Sequence, residues 1–151
     1  MQIIARTVLA LALLTVAGSP VLAAGGGGGN NSRLTPFQKL IDEQNYQQAI
    51  DELDKALAKS PDDADLLNLA AFSHRKLEQF DTALEYYKKA LEIEPKHRGA
   101  NEYLGELYLR LGNLDKAEER LGVLDDACFF GCEEFDELKA AIEAFRQQNP
   151  S

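Results

Sequence analysis

The sequence predicts an all-α chain, three helical hairpins stacked in a row and closed by one further C-terminal helix. Three observations carry that expectation. Tyr46, Phe80 and Leu114 fall 34 residues apart, Ala49, Ala83 and Ala117 repeat the same spacing with small side chains, and Pro61 and Pro95 close two successive units. A period of this length marks a supersecondary unit that cannot cover its own apolar side and is completed by stacking on copies of itself. With 151 residues, 45% hydrophobic and 27% charged, the chain has the composition of one ordinary folded domain rather than a disordered or fibrous one.

The stretch from Met1 to Ala24 precedes the repeats. It contains no acidic residue, one positive side chain at Arg6, and an apolar run from Val8 to Ala17 interrupted by Thr15. That pattern, with Gly18-Ser19-Pro20 breaking the run and Val21-Leu22-Ala23 following, reads as a secretory signal peptide over residues 1–23, cleaved after Ala23. No cysteine stands there for lipoprotein processing, and the apolar run is roughly half the ~20 residues a spanning helix needs. An exported protein is expected, periplasmic in the first instance with release as the alternative. Losing Arg6 moves the formal charge from -9 to -10, since -9 minus +1 is -10. So acidic a chain is a poor nucleic-acid binder. Residues 24–34, with Gly25 to Gly29 followed by Asn30, Asn31 and Ser32, read as a flexible spacer.

The three hairpins occupy about 35–63, 64–97 and 98–131. The middle one is the clearest: Asp65 to Leu77 forms a helix, Glu78-Gln79 turns the chain, and Asp81 to Ile93 forms a second helix that Pro95 ends. The first unit opens at Thr35 with Pro36 in a position that suits a helix start. The third carries Leu124 in place of alanine and Phe129 in place of proline, so no fourth unit is expected. Close approach of paired helices is assigned to Ala71 and Gly105 facing Ala83 and Ala117. Within 132–151, Phe135, Leu138, Ala141, Ile142 and Phe145 share one face of a helix from about Glu133 to Gln148, which caps the stack.

Leu67, Ala70, Ala71, His74, Phe80, Ala83, Tyr87, Ala90 and Pro95 resemble a tetratricopeptide repeat position for position, and Leu104, Gly105, Tyr108, Gly112, Leu114, Ala117 and Leu121 resemble a further one. The resemblance covers roughly residues 35 to 131. It implies a right-handed α-solenoid whose first helices line a concave groove for a peptide or helix of another protein. Its groove positions fall on Gln38, Ile41 and Asp42, then Asp65, Asn68, Phe72, Arg75 and Lys76, then Glu102, Glu106, Leu109 and Arg110. Arg75, Lys76 and Arg110 form a basic spot on an acidic protein, which suits a partner with an acidic segment; the competing reading is that cations in a last helical turn complement the helix dipole. The carboxylate clamp of some family members is not expected, because its positions hold Leu34, Gln38 and Leu69. His74 occupies a position where the family places a packed aromatic ring, and His97 sits in a turn.

Cys128 and Cys132 are the only cysteines. In an exported protein a bond between them is the leading reading, with Gly131 offering the left-handed turn that a regular helix would deny the pair. Free thiols, a redox role or a metal site are the alternatives, though the Cys-x3-Cys spacing and the lack of a nearby histidine argue against zinc. The segment from Cys128 to Phe135 resembles a tail of small exported tetratricopeptide proteins of proteobacteria, which names no activity. Gly25 to Gly29 lacks the preceding strand and the lysine of a phosphate loop. No catalytic residue, metal or cofactor is expected. The sequence therefore predicts a non-enzymatic adaptor acting in assembly or maintenance of the cell envelope. A thiol-disulfide redox partner and a weakly self-associating structural module stand as alternatives.

Overall fold

A computed structural model describes residues 32–149. The expected signal peptide and the spacer up to residue 31 lie outside the described residues. The described chain forms seven helices: α1 (Thr35–Asp42), α2 (Tyr46–Leu57), α3 (Ala64–Lys76), α4 (Phe80–Ile93), α5 (Arg98–Arg110), α6 (Leu114–Ala127) and α7 (Glu133–Gln148). There is no strand among the described residues. The last helix has the predicted bounds, and the helices of the middle hairpin each begin one residue before theirs.

Local chemistry sets the ends of these helices. Asp63 Oδ1 accepts the Leu66 amide at 3.1 Å, the His97 ring accepts the Ala100 amide through Nδ1 at 3.1 Å, and Asn113 Oδ1 accepts the Lys116 amide at 3.2 Å. Each satisfies one of the donors a helix start leaves unpaired. The turn inside each hairpin is also repeated: Gln44 (φ 60), Glu78 (φ 59) and Gly112 (φ 74) all adopt the left-handed conformation, 34 residues apart. Around Glu78 the Gln79 amide donates to the His74 carbonyl and the Glu78 amide to Arg75, and the other two turns repeat both bonds. This pairing is a Schellman termination of the first helix of every hairpin.

Every helix touches only its neighbours one or two places along the chain. Among the odd-numbered helices α1 meets α3, α3 meets α5 and α5 meets α7, whereas the backbones of α2, α4 and α6 stand apart and the Tyr86 hydroxyl of α4 reaches across to Asp54 of α2 at 3.5 Å. The stack is therefore a one-dimensional solenoid whose odd helices crowd together and whose even helices splay, which places the odd helices on its inner side. Ala83, Ala90 and Ala117 are fully buried, as is Tyr87, so the repeated small residues do hold the helices close.

Two placements differ from expectation. A Cβ built on Gly105 meets the Leu138 side chain at 2.5 Å, so this glycine makes room for α7 rather than for Ala117 of its own hairpin. And the end of the expected spacer belongs to the fold: Arg33 pairs with Asp63 and Asp65, and Leu34 packs on the core. His97 is more than a turn residue, since its Nε2 also meets Asp65 at 3.1 Å while its Nδ1 caps α5. No helix among the described residues is long and apolar enough to cross a membrane.

Candidate partner-binding cleft

The inner face does not present all the residues assigned to it. Ile41, Asn68 and Phe72 are buried between helices. Phe72 packs on Tyr103 at 4.9 Å between ring centroids and on Tyr46 at 6.5 Å, which makes it part of the seam between hairpins rather than a free contact. Glu102 is only 1% exposed. Burial in the first place, and then a hydrogen bond with Glu137 of α7 and the charges of Glu106 and Glu134, push its carboxyl up to about 10. It is a neutral acid at pH 7, a hydrogen-bonding tie between α5 and α7 instead of a charged groove residue.

Gln38, Asp42 and Asp65 lie outside the cleft, and the other five predicted residues converge on it. Arg75, Lys76, Glu106, Leu109 and Arg110 line a single cleft of about 610 Å³, where the last turns of α3, α5 and α7 meet. Phe80 at the start of α4 and Ala141, Ala144 and Phe145 of α7 supply its apolar wall. Sequence reasoning missed these four. Phe80 belongs to a second helix, and the apolar stripe of α7 was legible as a cap but not as the wall of a site.

The cations of the cleft are unequal. Arg75 Nη1 donates to Glu106 Oε2 at 2.6 Å, and its guanidinium lies 5.3 Å from the centroids of both Phe72 and Tyr103. It is spent on holding α3 against α5. Arg110 is 66% exposed and reaches Glu78 at 3.4 Å, a loose surface contact worth little. Lys76 has no carboxylate within salt-bridge distance among the described residues, and its ammonium sits 5.0 Å over the Phe72 ring. Partial burial, then the nearby charges of Arg75 and Arg110, lower its pKa. Three cations thus face two carboxylates, and the two exposed cations are the ones free to turn toward a ligand. His74 is packed as expected, stacked on the Tyr86 ring at 5.4 Å with its Nδ1 against Gln79.

Cys128 and Cys132 are bonded, with Cα atoms 5.5 Å apart. Gly131 has φ 84 and donates its amide to the Cys128 carbonyl at 2.8 Å, the left-handed turn that lets the chain close the ring before α7 begins. The two sulfurs and the Glu134 carboxylate lie within 4.8 Å of one another, yet a metal would need thiolates that the bond consumes.

Comparison with known proteins agrees with this architecture. Residues 74–142 match the family model described as tetratricopeptide repeat. A curated relative, uncharacterized protein ycf37 of Guillardia theta, is 38% identical over 56 residues, 37% of this chain, and the match spans about a third (32%) of the relative's length. Among solved structures, the Sgt2 TPR domain from Aspergillus fumigatus superposes with a TM-score of 0.68 at 22% identity, covering 78% of this chain and 77% of that one. The first TPR of Spaghetti (RPAP3), bound to the HSP90 peptide SRMEEVD, gives 0.64 at 20% identity over 73% and 87%. The Yersinia enterocolitica type III secretion chaperone SycD, in complex with a peptide of the translocator YopD, gives 0.65 at 17% identity over 78% and 92%. With a strict 34-residue register, paired helices closed on buried alanines and the family match over residues 74–142, the described residues have the tetratricopeptide repeat fold.

Proposed function

We propose that this protein is an exported, non-enzymatic adaptor that holds an acidic peptide or helix of a partner protein in the cleft between α3, α5 and α7, in the service of the cell envelope. The observation that carries the reading is the cleft itself: an apolar wall of Phe80, Leu109 and Phe145 beside the ammonium of Lys76, which meets no carboxylate at salt-bridge distance among the described residues, and the loosely held guanidinium of Arg110. Apolar contacts supply the affinity of such a site, and the cations select a partner carrying carboxylates. Two structures of the same fold support it by holding peptides, one of them the acidic SRMEEVD. Export rests on the signal-like stretch before Ala24.

Reversing both exposed cations tests the proposal. Lys76→Glu with Arg110→Glu leaves the core untouched and is expected to weaken capture of an acidic amphipathic peptide about tenfold or more, with a salt dependence that the variant lacks. Equal capture by a folded variant would reject the acidic partner. Recovery of the protein in the cytoplasmic fraction with residues 1–23 intact would reject export.

A further inference from the structure

Among the described residues, the most exposed large apolar side chains lie outside the cleft, on the loop before α7. Phe129 and Phe130 are 88% and 98% exposed, stand edge to face with centroids 5.2 Å apart, and sit at the tip of the ring closed by Cys128 and Cys132. Two bare phenyl rings are costly in water, and a loop tied by a disulfide and a glycine turn loses little freedom when it docks, so the pair has the properties of a preorganised anchor. Its sequence neighbours are mostly acidic: Asp125, Asp126 and Glu133 are exposed on either side of it, with one cation, Lys96, donating to the Asp126 carbonyl at 3.4 Å. An anionic lipid surface is therefore a poor match, and an apolar pocket bordered by cations is a good one.

The chain itself contains such a pocket. The α3–α5–α7 cleft pairs Phe80, Leu109 and Phe145 with Lys76 and Arg110. A molecule cannot fill its own, because the anchor precedes the first residue of α7 and the cleft is built on the last two turns of that helix, about 20 Å along it at 1.5 Å per residue. We propose that the Phe129–Phe130 tip of one copy docks into the Lys76/Arg110 cleft of a second copy, a head-to-tail contact. The inference rests on the reading of this cleft as a docking site and names a second occupant that competes with an acidic peptide. Two phenylalanines bury about 150–250 Å² each. Counting both sides, that gives roughly 600–1,000 Å², below the usual size of a stable interface and in the range of transient ones. The contact is thus weak and concentration-dependent, and because it is heterologous a pair keeps one free cleft on one copy and one free anchor on the other.

Complementation between variants tests it. Phe129→Ser with Phe130→Ser removes the anchor without touching the fold or the cleft; Lys76→Glu with Arg110→Glu removes the cleft and keeps the anchor. By sedimentation the wild type is expected to gain mass at concentrations on the order of 0.1–1 mM. Each variant alone should associate at least tenfold more weakly, and an equimolar mixture should form a one-to-one pair. The anchor variant should still capture the acidic peptide as wild type does. A monomeric wild type at 1 mM, variants that associate unchanged, or a mixture that fails to pair would overturn the inference. So would a monomer that binds phosphatidylcholine vesicles through the two rings. Loss of peptide capture in the wild type would instead overturn the proposed function, whatever the state of association.

Discussion

Consider Glu102→Gln, a substitution that keeps the shape of a buried side chain and removes its proton equilibrium. In the unfolded chain this glutamate ionises near its ordinary value of 4.5; in the folded protein, buried against Glu137 with Glu106 and Glu134 nearby, it holds its proton up to about 10. Between those limits the folded form carries one proton more than the unfolded form. The associated stability is complete below pH 4.5 and is lost as pH rises toward 10. At about 1.36 kcal/mol per pH unit, three units from pH 5 to pH 8 correspond to a loss of at most about 4 kcal/mol in the wild type. Glutamine is neutral throughout and can donate to Glu137 as the protonated acid does. Its own cost is expected to be about 1 kcal/mol or less at pH 5. Urea unfolding followed by circular dichroism at the two pH values should therefore show the variant near or slightly below wild type at pH 5 and more stable by about 2–4 kcal/mol at pH 8. A difference that is the same at both pH values, or a variant less stable at pH 8, would refute a neutral Glu102 at the α5–α7 seam.

Other perturbations read separate parts of the fold. Gly105→Ala places a methyl 2.5 Å from Leu138 and should cost about 1–3 kcal/mol, part of which Leu138→Ala in the same chain should return, a coupling that a double-mutant cycle of urea unfolding would reveal. Replacing Cys128 and Cys132 by serine opens a ring of five residues, residues 128 to 132; the chain-entropy relation gives about 2 kcal/mol, to be read in the thermal unfolding of α7. Gln44→Gly relieves a left-handed conformation at φ 60 and should raise stability by about 0.5–1 kcal/mol in the same assay.

The repeat made most of this architecture legible. Alanine at 83 and 117, proline at 95 and the turn at Glu78-Gln79 are local signals, each tied to its own steric requirement, and they placed the two helices of the middle hairpin to within a residue. The α5–α7 seam was harder to read. The 34-residue register ends with the third hairpin, so nothing in it says that α7 lies along α5, and three consequences follow from that packing: Gly105 serves Leu138, Glu102 becomes a buried neutral acid, and Phe145 becomes a wall of the cleft. Family positions marked Asn68 and Phe72 as groove residues, but contact between adjacent first helices covers both. The partner of Arg75 was on the page as an acid 31 residues later, and only the pairing of α3 with α5 distinguishes that tie from a cation left for a ligand or for the helix dipole.

As proposed above, the inner end of the stack, where α3, α5 and α7 finish, receives an acidic chain. Titrating an acidic amphipathic peptide into the isotope-labelled protein and following backbone amide shifts tests it most directly. Saturable shifts are expected, concentrated at Lys76, Phe80, Leu109, Arg110, Ala144 and Phe145 and sharply reduced by added salt. Shifts confined to the outer helices α2, α4 and α6, or no shift at millimolar peptide, would contradict it.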